Sequence, residues 1–152
     1  MRLSLLSAAL LCGTSVFAFA QDTSNLEKLS NFQTTGTTEF TFIDQSGANA
    51  DAIKKTLQKI KLPSGFRIAL YAVVPDARHM AVGPQGIVTF VGTRKTKVWS
   101  VTDRNKDRVA DEVKDFAPSL SMKIPNGPCF SPDGFLYIAE QNRVLVYPAA
   151  EF

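Results

Sequence analysis

The sequence predicts an all-β fold, a β-propeller fragment preceded by a signal peptide and one short helix. The main observation is an internal repeat, in which residues 80–91 align without gaps on residues 128–139, at an offset of 48. Each copy contains an apolar strand, a Pro-x-Gly turn and a second apolar strand. A third apolar strand follows each copy, at residues 97–101 and 143–147. The repeat therefore predicts two consecutive antiparallel meanders.

The length of the repeat favours a propeller. Residues 112–117 supply a fourth strand to the first meander. Four antiparallel strands that recur every ~40 to 50 residues are typical of a propeller blade, and propellers close with ~4 to 8 blades. The chain holds about one full blade and three strands of a second, so we expect the N-terminal part of a longer protein. The alternative is two unrelated hairpins that share a common turn.

The first twenty residues are typical of an export signal. Arg2 precedes an apolar run over residues 3–19, and Ala18-Phe19-Ala20 offers a small-x-small cleavage site before Gln21. The sequence therefore predicts a periplasmic or secreted protein with no membrane anchor after cleavage. A short membrane anchor or a buried helix is the alternative.

Between the signal peptide and the repeat, the sequence predicts a polar lead and a helix. Residues 21–47 form the lead, in which residues 39–43 alternate like a short edge strand. The propeller part spans residues 48–152 and begins with a helix over residues 50–60. Its predicted apolar face contains Ala50, Ile53, Leu57 and Ile60, and its lysines point away from that face.

Composition and motifs exclude several function classes. Seventeen basic and fourteen acidic residues give a net charge of only +3, which argues against nucleic acid as a partner. We find no nucleophile motif, phosphate-binding glycine loop or histidine-rich metal cluster in the sequence. Cys129 is the one cysteine outside the signal peptide, and its neighbours Pro128 and Phe130 favour a small buried apolar residue over a nucleophile.

Several strings in the chain resemble the opening blades of the periplasmic glucose/sorbosone dehydrogenase family. They are residues 60–66 (IKLPSGF), 77–81 (ARHMA), 91–94 (VGTR), 101–105 (VTDRN) and 124–127 (IPNG). The resemblance covers over half of the chain. It implies a six-bladed propeller that holds pyrroloquinoline quinone (PQQ) and calcium and oxidises C1 of a sugar or aldehyde. The family's usual catalytic base, a histidine of a later blade, has no match before residue 152.

The propeller arrangement predicts a cofactor face. Loops that enter an inner strand and loops that join second to third strands share one face, and they correspond to residues 77–79, 93–96, 123–127 and 140–142. Given the family's tricarboxylate quinone, Arg78 and Arg94 are the candidate cationic ligands. Asn126 stands at the repeat position of Arg78 and is the third candidate, for a quinone oxygen or a sugar hydroxyl. Alternatively, Arg78 and Arg94 are ordinary surface charges and Asn126 is a turn residue.

Two further features bear on chemistry. His79 is the only histidine, and we expect a structural role for it at the channel rim rather than base catalysis. Asp103, Asn105, Asp107 and Asp111 place oxygen side chains at the spacing of a calcium loop. However, Arg108 replaces the usual glycine and Lys114 the usual bidentate glutamate. A polar loop held by Asx turns is the alternative, and any metal there would be structural, on the face opposite the cofactor.

The sequence therefore predicts part of a PQQ-dependent sugar or aldehyde dehydrogenase. Its catalytic base lies outside this chain, so we expect the chain to be inactive alone. Two alternatives remain open: a non-catalytic propeller that binds a protein or glycan, and a lactone-hydrolysing propeller that uses Glu140 and Asn126. The sugar and the electron acceptor are not specified by these patterns.

Overall fold

Short apolar segments separated by Pro and Gly turns form seven strands in the computed structural model, which describes residues 39–151. The elements are α1 (Ala48–Leu57), β1 (Ala77–Val82), β2 (Val88–Thr93), β3 (Val98–Thr102), β4 (Glu112–Phe116), β5 (Gly127–Phe130), β6 (Leu136–Ala139) and β7 (Val144–Tyr147). They form two antiparallel sheets, β1-β2-β3-β4 and β5-β6-β7. The prediction of a mostly β fold with two consecutive meanders and one short helix is confirmed.

Part of the sequence-based description lies outside the described residues. The predicted signal peptide over residues 1–20 and most of the polar lead belong to that part. Within residues 39–151, no helix combines the length and the apolar character needed to cross a membrane.

Helix α1 begins and ends earlier than the predicted range of residues 50–60. Its first turn is closed by the amide of Asp51, which donates to the carbonyl of Gly47. At the other end, the amide of Ile60 donates to the carbonyl of Leu57, a tighter i−3 bond that no longer continues the helix. Ala50 is fully buried, and the lysine face is exposed as the periodicity predicted.

The segment at residues 39–43 covers the outer edge of β4. It forms a single bridge between Phe42 and Lys114, and the amide of Ile43 donates to the carbonyl of Val113 over 2.9 Å. The side chain of Asp115 accepts a hydrogen bond of 2.7 Å from the amide of Thr41. The predicted edge strand is thus reduced to one bridge, which still leaves the β4 edge partnered.

A core of apolar side chains lies between the two sheets. Phe90 and Val98 from the first sheet pack with Leu136 and Ile138 from the second, and all four are fully buried. The ring of Phe90 meets that of Phe116 edge-on, with centroids 5.0 Å apart. Burying these side chains holds the sheets face to face.

The opposite face of the first sheet carries a second core. Val91, Trp99, Val101 and Val113 pack there, and residues such as Val74 from the segment before β1 cover them. Strands β2 and β3 are therefore buried on both faces, and their sequences contain small polar residues such as Ser100 and Thr102 but no charged side chain. In contrast, β1 is mostly exposed.

The two hairpins differ by one residue in register. In the first, the amide of Gly83 donates to the carbonyl of Val88 and closes the turn. In the second, Ser131 stands at the repeat position of Gly83. Its amide donates to the carbonyl of Phe135, whereas the repeat position of Val88 is the next residue, Leu136. The second turn is therefore one residue shorter than the repeat predicts.

This slip corrects the prediction for Cys129. The repeat aligns Cys129 with Ala81, which pairs with Phe90, but the structure pairs Cys129 with Tyr137, the repeat position of Thr89. A shift of one residue moves a side chain to the other face of a strand. Cys129 is consequently exposed, and the expectation of a buried thiol was wrong.

The hydroxyl of Tyr147 leads to a prediction on stability. It is buried and has no hydrogen-bond partner among the described residues, while its ring packs on Phe116 with centroids 4.7 Å apart. Because a buried polar group without a partner is unfavourable, we expect Tyr147→Phe to raise the free energy of unfolding by about 1 kcal/mol. Urea denaturation measures this change. Tyr137→Phe is the matched control, and an equal gain there would contradict the explanation.

The same residue predicts a pH dependence. Burial raises the pKa of Tyr147 to about 12 in the folded state. Its ionisation is therefore easier in the unfolded chain, so the wild-type protein should lose stability as the pH rises above about 10. Tyr147→Phe should lose less over this range. Parallel slopes for the two proteins would contradict the prediction.

Candidate functional site

Close backbone packing joins the end of β2 to the loop before β5. The amide of Thr93 donates to the carbonyl of Pro125 over 3.1 Å, and the amide of Ile124 donates to that of Lys95 over 2.9 Å. Gly92 makes the approach feasible, since a Cβ there would lie 2.6 Å from the carbonyl oxygen of Pro125. We call this contact the backbone clamp.

The loop after β6 attaches to the same region. The amide of Gln141 donates to the carbonyl of Lys123, and the buried carboxylate of Glu140 accepts the amide of Lys123 over 3.1 Å. The guanidinium of Arg143 binds both oxygens of Glu140 and also donates to the carbonyl of Ser121. Glu140 therefore serves to hold these loops together.

The two candidate arginines lie at this end of the first hairpin. An irregularity between Ala77 and Met80 places Arg78 in a β-bulge of β1. Arg94 directly follows β2, and its amide donates to the side chain of Asp76. Both arginines are exposed, and neither has an ion-pair partner within residues 39–151.

Asn126 contacts His79, the neighbour of Arg78 in the bulge. Nδ1 of His79 lies 3.1 Å from Oδ1 of Asn126. Because an amide oxygen only accepts, this contact is a hydrogen bond in the tautomer that carries its proton on Nδ1, and in that tautomer the Nε2 lone pair of a neutral imidazole is available. Sequence reasoning missed this pair, although the alignment of Arg78 with Asn126 in the repeat already placed the two segments at equivalent positions.

An open groove runs between β1 and β5, which lie side by side. Its volume of about 550 Å³ lies in the range of small-molecule sites. The groove combines polar and apolar groups from both sheets, including His79, Met80, Asn126, Cys129 and Glu140. The predicted cofactor-face loops at residues 77–79, 123–127 and 140–142 each contribute to its lining.

The predicted calcium loop lies between β3 and β4, near the turn that joins β1 to β2. Asp103 is buried, and its two oxygens accept the amides of Asp107 and Arg108 over 3.2 and 3.1 Å. Lys106, whose Nζ donates to the carbonyl of Gln85, connects the loop to that turn. This is the end of the hairpin opposite the arginines.

The other candidate metal ligands are also engaged within the loop. Asp107 accepts the amide of Val109 and the side-chain amide of Asn105, and Asp111 accepts the amide of Arg104. Among the described residues, no group of three or more His, Cys, Asp or Glu side chains is arranged to hold a metal ion. The carboxylates thus form Asx turns with loop amides, and calcium binding remains a prediction.

Comparisons of the chain with protein-family models, curated proteins and solved structures find no match.

The backbone clamp predicts an unusual sensitivity at Gly92. A methyl group there would overlap the backbone of residues 125–126, which cannot move without breaking the clamp. We expect Gly92→Ala to lower the free energy of unfolding by about 2 kcal/mol, as overpacking does. Gly127→Ala is the control, because its Cβ would meet Ala139 at an ordinary 3.5 Å. Equal losses in urea denaturation would contradict this role of Gly92.

The contact between His79 and Asn126 predicts a single imidazole tautomer. Because the chain has one histidine, its ring ¹⁵N signals are unambiguous. We expect the neutral ring to carry its proton on Nδ1 in the wild-type protein and to shift toward the other tautomer in Asn126→Ala. Asn142→Ala, at an exposed position, is the control. An unchanged tautomer in Asn126→Ala would show that the contact does not orient the ring.

Proposed function

We propose that this chain contributes about one full blade and three strands of the next to the propeller of an exported, PQQ-dependent sugar or aldehyde dehydrogenase. The observation that carries the proposal is the groove between β1 and β5, which Asn126 lines. Arg78 and Arg94 are not among its lining residues, but both lie at that end of the first hairpin and have no ion-pair partner within residues 39–151. In a propeller, such inner strands line a central channel. The proposed activity rests on the resemblance of the sequence to the glucose/sorbosone dehydrogenase family.

The candidate ligands suit an anionic quinone. Carboxylates are bound best by guanidinium groups, and both Arg78 and Arg94 present theirs without a competing ion pair in the described part of the chain. Asn126 contributes amide hydrogens, because its Oδ1 already accepts from His79. When bound, PQQ supplies the two-electron acceptor for oxidation of the substrate C1.

Within this site we assign His79 a positioning role. Its Nε2 can accept a hydrogen bond from a sugar hydroxyl, while Asn126 fixes the ring through Nδ1. The base that removes the substrate proton is proposed to lie outside this chain. Calcium in the loop at residues 103–111 would be structural, because that loop lies at the other end of the hairpin.

The arrangement of Glu140 counts against the lactone-hydrolysing alternative. Such chemistry requires a carboxylate that is available to a channel metal. The carboxylate of Glu140 is instead bonded to Arg143 and to the amide of Lys123, and its side chain is 1% exposed. Recruiting it for a metal would leave the Arg143 guanidinium without its partner.

A titration of the purified protein with PQQ tests the proposal. Two exposed ion pairs contribute at most about 2 kcal/mol, compared with about 8 kcal/mol for micromolar affinity. We therefore expect a Kd of about 30 mM, with perturbed amide signals at Arg78, Arg94 and Asn126 and no sugar-dependent dye reduction in the presence of calcium. Arg78→Gln and Arg94→Gln should each weaken the response.

Arg104→Gln provides the matched control, because it removes an exposed arginine beside the opposite loop. Perturbations centred on that loop, or none at the groove, would contradict the proposed site. Micromolar binding or aldose-dependent dye reduction by this chain would show that the decisive residues lie elsewhere than proposed.

A further inference from the structure

The turn between β1 and β2 holds the side chain of Glu151, more than sixty residues away. One carboxylate oxygen accepts the amide of Gln85 over 2.7 Å. The other accepts the amides of Ile87 and Val88 over 3.1 and 3.2 Å. Three backbone donors that converge on one carboxylate form an anion-binding concavity of the kind called a nest.

The backbone of the turn creates this concavity. The amide of Gly83 donates to Val88, and the amide of Gly86 donates back to Gly83. Gly86 has a φ of 68°, which only glycine adopts without strain. These bonds use the amides of the two glycines and direct the three remaining donors toward Glu151. The ammonium group of Lys106, on the carbonyl of Gln85, adds a positive charge nearby.

The second hairpin satisfies the equivalent donor in another way. Phe135 takes the place of Val88 in the second turn, because its carbonyl accepts the amide of Ser131 as that of Val88 accepts the amide of Gly83, and its amide donates to the hydroxyl of Ser131 over 3.2 Å. Ser131 stands at the repeat position of Gly83, which has no side chain to offer. The first turn therefore lacks an internal acceptor, and Glu151 supplies one.

Gly83 is also necessary for steric reasons. A Cβ at this position would collide with the carboxylate group of Glu151. The φ of Gly83 lies outside the left-handed region, so the backbone itself accepts an L-residue. The missing side chain thus leaves the space that the carboxylate fills.

We propose that the turn at residues 83–88 is a carboxylate-binding site whose resident ligand is Glu151. The contact fastens the segment after β7 to the first sheet, and so it joins the two sheets at a point remote from the backbone clamp. The ligand class is a carboxylate, which accepts several amides at once and carries the charge that the nest favours.

Amide hydrogen exchange on the full chain tests the proposal. We expect Glu151→Ala to accelerate exchange at Gln85, Ile87 and Val88 by about tenfold, which corresponds to about 1.4 kcal/mol. Sodium acetate should then slow exchange at these amides in a saturable manner, whereas sodium chloride at equal ionic strength should not. Glu39→Ala, which removes an exposed carboxylate, should change nothing there.

Variants at Gly83 separate the site from general destabilisation. Gly83→Ala should release Glu151 and accelerate exchange as much as Glu151→Ala, and the double variant should be no faster than either. Gly83→Ser should restore protection at Val88 alone, through its own hydroxyl. Unchanged exchange in Glu151→Ala, additive effects in the double variant, or no response to acetate would each overturn the proposal.

Discussion

The arrangement of the described part of the chain depends on one close approach between backbones, at Gly92. Without a Cβ at this position, Pro125 can lie against β2 and accept the amide of Thr93. The second sheet follows directly from this loop, so the clamp determines where β5 starts. Phe90 then packs against Ile138 and buries further apolar area between the sheets, whose orientation the backbone clamp already determines.

The two sheets combine strands that are buried with strands that are accessible to solvent. Strands β2 and β3 are enclosed by apolar side chains on both faces, so their conformation is strongly determined. Strands β1 and β5 lie beside each other; β1 is mostly exposed, and β5 exposes Cys129. Groups that bind a ligand are best placed on such a surface, because a buried layer supports them without competing for contacts.

Local patterns made most of the fold predictable. Pro-x-Gly turns and apolar strands predicted the two meanders. The 3.6-residue period predicted a helix with Ala50 buried and the lysines exposed, but the helix ends earlier and Ile60, placed on the apolar face, is exposed. Long-range contacts were not predictable in this way. The pair of His79 and Asn126 depends on the clamp, and the orientation of Cys129 depends on which carbonyl closes a turn. In the loop after β3, spacing alone cannot distinguish carboxylates that face a metal from those that face amides.

The difference of one residue between the two hairpin turns has an evolutionary consequence. Inserting or deleting a residue in such a turn shifts the first strand of the sheet by one residue against its buried neighbour, so its side chains move to the opposite face. The buried strands keep their own side chains and packing. A single insertion can therefore exchange the whole set of groups that β1 or β5 presents to the groove. Chains built from this repeat can diversify a binding surface through turn length, while the sequence of the strands stays under the constraint of the core.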